Sequence, residues 1–105
     1  MEQPNLTYIE NLAGKDEAFK NKFIAILKDE FPIEKAEYYQ SLNASKTKET
    51  ALIVHKLKHK LNILGLEKAY GLSVIYEEEL KKGNSSLASE FTSILDTIES
   101  YLNTI

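Results

Sequence analysis

The sequence contains no cysteine. Disulfide frameworks, thiolate metal sites and cysteine nucleophiles are therefore excluded, and the chain suits a reducing compartment. It contains no arginine either; all 13 basic residues are lysines, against 16 acidic ones. Nucleic-acid binding draws on a broad basic surface, usually with arginine, so a nucleic-acid partner is not expected. No apolar run approaches the roughly 20 residues needed to span a bilayer. The N-terminal stretch MEQPNLTYIE lacks the basic start and apolar segment of a signal peptide. A cytoplasmic protein with no membrane association is the expectation. No glycine-rich phosphate loop is present, so autonomous ATP hydrolysis is not expected. Repeats, low-complexity segments and linkers are missing, and no stretch alternates with period two.

What is present is an ordinary globular balance: 105 residues, 43% hydrophobic and 28% charged. That length suits one domain over residues 1–105, with a modest stability margin. The start at Met1 and a compact end at Ile105 favour a free-standing protein. The net charge of −3 is unevenly spread. Residues 46–60 carry Lys46, Lys48, Lys56, Lys58 and Lys60 against Glu49, a net +4, so the remainder carries −7. A local basic patch on an acidic chain suits one acidic partner or one anionic group.

Apolar residues recur at helical spacing, and the punctuation predicts five helices. A short first helix covers Thr7 to Leu12. Asp16 caps a second, from about 16 to 42, that carries Phe19, Phe23, Ile26, Leu27 and Phe31 on one face. Pro32 kinks it, and Ile33, Ala36, Tyr39 and Leu42 resume the pattern; two separate helices are the alternative. Thr47 caps a third helix running to about Leu64, and Gly65 stops it. A fourth, about Glu67 to Lys82, places Ala69, Tyr70, Ser73, Tyr76 and Leu80 on one side. Gly83-Asn84-Ser85 is a break with a cap. The fifth has the cleanest stripe: Leu87, Phe91, Ile94, Leu95, Ile98, Tyr101, Leu102 and Ile105. Short loops favour antiparallel neighbours. The expected fold is all-α: an antiparallel up-and-down four-helix bundle with a short N-terminal cap helix.

Both histidines lie on the third helix, in IVHKLKHKLNILG, residues 53–65. At about 100° per residue, Ile53, Val54, Leu57, Leu61 and Leu64 cluster roughly 200° from His55. His55 therefore faces solvent, and His59, Lys48, Asn62 and Lys58 fall on its side. Leu52 and Ile63 also lie away from the core centre. Either a neighbouring helix covers them or they form an exposed apolar rim. Most exposed histidines are simply solvated. Three features add to this one: Lys58 one turn away, the field of Lys48 and Lys56, and the acidic run Glu77, Glu78, Glu79 on the next helix. A carboxylate on one ring nitrogen would fix the tautomer and leave the other nitrogen as a nucleophile.

The run His55-Lys56-Leu57-Lys58, with Gly65 ten residues after the histidine, resembles the histidine-containing phosphotransfer domain of bacterial multistep phosphorelays. That family's signature is approximately H-x-L-K-G-x-(S/A)-x-x-x-G. The short first helix, AGKDEAF opening the second, and a glutamate midway along the fourth are similar too. The resemblance implies that His55 accepts a phosphoryl group at Nε2 from a receiver-domain aspartate and passes it to another receiver. It gives Lys58 the role of neutralising phosphate charge, Glu77 that of orienting the imidazole, and Gly65 a tight exit from the helix. Lys48, Leu52, Lys56, His59 and Asn62 would surround the docking point. Receiver domains of response regulators or hybrid histidine kinases are the implied partners. Mg²⁺ would come from the receiver, so no cofactor is expected in this chain. A monomer is expected, because a dimer over the histidine face would block docking. Two positions depart from the pattern: His59 stands where the family has glycine, and Leu61 where it has serine or alanine. Both bear on docking geometry.

Two other readings remain. Histidines at i and i+4 can share a metal ion. A closed zinc site needs four ligands, however, and nearby lysines repel a cation. The third reading is a helical interaction module without chemistry, including a phosphotransfer-like domain that has lost its role.

Overall fold

A computed structural model describes residues 2–105. Among them are five helices and no strand: α1 (Thr7–Ala13), α2 (Glu17–Asn43), α3 (Thr47–Ile63), α4 (Glu67–Lys81) and α5 (Ala88–Leu102). The molecule measures 45 × 23 × 19 Å. Its long axis is close to the length of α2, whose 27 residues span about 40 Å at about 1.5 Å per residue.

All five helices feed one core. Ile9 comes from α1; Leu27, Phe31 and Tyr38 from α2; Ala51, Val54, Leu57 and Leu61 from α3; Ala69, Tyr76 and Leu80 from α4; Phe91, Leu95, Ile98 and Leu102 from α5. Helix α3 lies centrally, packed on both α2 and α4, while α5 contacts α4 and α2. Burial of these stripes at roughly 25 cal/mol per Å² of apolar surface is the main force holding the helices together.

Local signals explain most of the boundaries. The Asp16 carboxylate accepts the Phe19 N–H at 2.9 Å, the expected cap of α2. Gly65 adopts φ +74° just past the end of α3, where a left-handed residue reverses the chain. Its lack of a side chain also admits Asn5, whose amide nitrogen would lie 2.6 Å from any Cβ there. The backbone N–H of Asn5 donates to Leu64 O at 2.9 Å, so the N-terminal segment is tied to this corner.

The structure corrects three details. Thr47 is not the cap of α3. Lys46 holds that position without a side-chain cap, and Thr47 is the first helical residue. The nearby polar work falls to Thr50, whose buried hydroxyl bonds Lys46 O at 2.9 Å and Ser41 Oγ at 2.8 Å. The second detail is the phase of α2. The helix runs unbroken through Pro32, so its stripe is not reset there. The buried residues follow as Leu27, Phe31, Tyr38 and Ser41, leaving Ile33 and Ala36 exposed. Phe19 and Ile26 are exposed as well; α2 is ten residues longer than α3 and cannot be covered along its whole length. The third is the break before α5, where the Asn84 side chain accepts from Ser86 N–H in a local turn and does not cap the helix.

Candidate functional site

His55 sits in the middle of α3 with its side chain 52% exposed. Its Nδ1 faces Glu77 of α4, 3.2 Å from each carboxylate oxygen. Glu77 itself is only 10% exposed. In the neutral imidazole one nitrogen carries the proton and the other a lone pair. The carboxylate has no proton to give, so Nδ1–H donates to Glu77 and the lone pair falls on Nε2. The protein offers Nε2 no hydrogen-bond partner among the described residues.

Glu77 gathers two further cations. Lys58 Nζ donates to its Oε1 at 3.0 Å. Lys81, one turn along α4, approaches its Oε2 at 3.5 Å. Burial pushes the Glu77 carboxyl upward, but hydrogen bonds and charge from Lys58 and His55 outweigh it and hold the group below the usual carboxylate range. Glu77 is therefore ionised at neutral pH, and it fixes both the imidazole and the lysine. The Lys58 side chain is 13% exposed, and its ammonium lies 5.9 Å from the centre of the Tyr70 ring. The other two glutamates of the run serve elsewhere: Glu78 pairs with Lys81 at 3.3 Å, and Glu79 accepts from Asn84.

Around His55, α3 presents Lys48, Leu52, His59 and Asn62 along one exposed stripe, with Lys56 beside it. Leu52 is 67% exposed, so it is an apolar rim residue, whereas Ile63 packs partly on the core. The rings of His55 and His59 meet edge to face, 5.2 Å between centres. Lys60 does not belong to this surface. It is buried and tied to Glu30 at 3.2 Å and Glu34 at 3.1 Å on α2. The basic run of the sequence is thus divided between two sides of one helix. Leu61 is fully buried and serves the core.

Sequence reasoning brings together His55, Lys58 and Glu77, and the structure places all three in contact. It misses Lys81 and Tyr70. Lys81 had a signal, standing four residues after Glu77 on one helix face. Tyr70 had none, because its ring meets Lys58 only through helix packing. Among the described residues no group of three or more His, Asp or Glu side chains gathers to enclose a metal ion, and no helix is long and apolar enough to cross a membrane. No family model, curated protein or solved structure matches this chain.

Proposed function

We propose that this protein is a phosphorelay intermediate, in which His55 takes a phosphoryl group from a receiver-domain aspartate and passes it to a second receiver. The observation that carries the reading is the His55–Glu77 pair: a buried carboxylate on Nδ1 at 3.2 Å, on a half-exposed ring whose Nε2 has no hydrogen-bond partner among the described residues. The resemblance of His55-Lys56-Leu57-Lys58 to the histidine-containing phosphotransfer motif points the same way. So does the expected bundle, with α2 to α5 running antiparallel and α1 as a small cap. The short connections after α2 and α3, residues 44–46 and 64–66, support that arrangement.

In the forward step the Nε2 lone pair attacks phosphorus. The N–P bond forms as the P–O bond to the donor aspartate breaks, and the aspartate leaves as a carboxylate. The proton on Nδ1 stays where it is, hydrogen-bonded to Glu77, so no base is needed. Phosphoryl transfer depends on positioning and on spreading charge away from the transferred oxygens. Glu77 positions the ring, and Lys58 supplies the cation by exchanging Glu77 for the phosphoryl oxygens. The receiver brings the Mg²⁺ and the acidic pocket. Transfer onward is the reverse of the same step. The stripe of Lys48, Leu52, Lys56, His59 and Asn62 is the docking surface, engaged by a monomer in the cytoplasm.

The test is transfer of label from a phosphorylated receiver. Wild type is expected to acquire acid-labile, base-stable phosphate, and His55→Gln none. Lack of uptake from every receiver of the source organism would refute the carrier and leave an interaction module. Labelling of His55→Gln would move the acceptor elsewhere.

A further inference from the structure

We infer that His55 and His59 form a two-histidine chelate for a divalent transition-metal ion of tetrahedral preference, completed by water. Three observations bear on it. The residues are four apart on one exposed helix face, the spacing at which two imidazoles reach one ion. A metal–nitrogen bond of about 2.1 Å puts each ring centre about 3.2 Å from the ion, so tetrahedral geometry holds the two centres about 5.2 Å apart. The rings stand at 5.2 Å already. Finally, His55 has the outer partner typical of a metal-binding histidine. Its Nδ1 is held by the Glu77 carboxylate, which fixes the tautomer and makes Nε2 a better donor. No protein group holds His59 by hydrogen bond among the described residues, so its ring can turn to meet the ion.

The sequence argues against a cation through its lysines, but the fold disposes of two of them. Lys58 is paired with Glu77, and Lys60 with Glu30 and Glu34 on the other side of the helix. Lys48 and Lys56 remain, exposed and screened by salt. With two protein ligands this is an exchangeable site and not a structural one. Its consequence rests on the carrier reading: an ion on Nε2 occupies the lone pair that phosphoryl transfer uses, so metal and phosphoryl group exclude each other.

Zn²⁺ titration followed by NMR of the imidazole nitrogens tests the site without any receiver. His55 Nε2 and one nitrogen of His59 are expected to shift together and saturate at one ion. His55→Gln and His59→Gln should each abolish saturable binding, and Glu77→Gln should weaken it by about tenfold. Wild-type affinity in either histidine variant, or no shift in the wild type, would overturn the chelate. A second measurement addresses regulation. One equivalent of Zn²⁺ is expected to suppress phosphoryl uptake by wild type, and not to change the uptake that His59→Gln shows without metal. Saturable two-histidine binding with undiminished uptake would overturn the exclusion. Two-histidine binding in a protein that takes up no label even without Zn²⁺ would sink the carrier reading and leave the metal site standing.

Discussion

Glu77 is where the residue-scale chemistry converges, because three cationic or proton-donating groups share one buried carboxylate. Glu77→Gln removes the charge that holds Lys58 and the Nδ1 proton. Phosphoryl uptake is expected to fall by about tenfold or more, within the range associated with loss of an orienting partner. A rate equal to wild type would show that ring orientation does not limit transfer. The same residue predicts a pH effect on stability. Its carboxyl lies below the usual value of about 4.5 in the folded state. A depressed carboxylate contributes stability above its unfolded value and loses it as pH falls through the folded one. Wild type should therefore lose stability relative to Glu77→Gln as pH drops below about 4.5, read by urea unfolding at a series of pH values. Lys58→Ala is expected to slow transfer while the protein still folds, at a cost of about 1–3 kcal/mol for the charged hydrogen bond removed from a buried carboxylate. Unchanged transfer kinetics would assign the field to Lys48 or Lys56. At this scale the sequence was informative about direction and silent about contact. A helical projection showed His55 facing outward and the family resemblance singled out Glu77 on the next helix, but only packing of α4 on α3 sets Nδ1 and the Lys58 ammonium on that one carboxylate.

Two glycines separate backbone need from helix propensity at the scale of elements. Gly65→Ala demands φ +74° of an alanine and drives its Cβ into the Asn5 side chain. A loss of about 1–2 kcal/mol is expected. Gly71 lies inside α4, exposed, with open space where a Cβ would stand. Gly71→Ala should instead raise stability by about 0.5–1 kcal/mol. Thermal unfolding of the two variants gives shifts of opposite sign if this account holds. The helices themselves were largely legible from punctuation and period. Asp16 announced the start of α2, and the stripe of α5 from Phe91 to Leu102 was read as it stands. The phase of α2 was not legible. One helix through Pro32 was read as it stands, but the pattern resumed at Ile33 and Ala36 was not the buried one, since α2 buries Tyr38, two positions past Ala36. A periodicity argument cannot fix phase across a proline, since either continuation satisfies the local spacing.

Over the whole molecule, the core is not purely apolar. The Tyr38 and Tyr76 hydroxyls meet at 2.8 Å, fully enclosed, with Phe91 against both rings. Burial pushes the Tyr76 hydroxyl far above its ordinary range, so it stays protonated. This bond joins α2 to α4 across the centre of the fold. Tyr38→Phe strands the partner hydroxyl and is expected to cost about 1–3 kcal/mol, while the double change to phenylalanine costs less than the two single changes together. A double-mutant cycle in urea measures the coupling, and additivity would show that the hydroxyls act independently. Lys60 teaches the same lesson for charge. In the chain it belongs to a basic run. In the fold it is a buried counter-ion for Glu30 and Glu34, and it leaves the histidine surface.

Composition, periodicity and caps alone determined that this protein is all-helical, roughly where each helix lies, and that His55 looks outward with Lys58 on its side. These follow from interactions within a few residues along the chain, which a helical projection captures. The tertiary structure decided the contacts that Glu77 makes with His55 and Lys58, that Tyr70 joins the site, that Lys60 leaves it, and which phase of α2 is buried. Each of those depends on residues roughly 12 to 40 positions apart brought within about 3–6 Å, a relation set by helix packing and carried by no local pattern in the sequence.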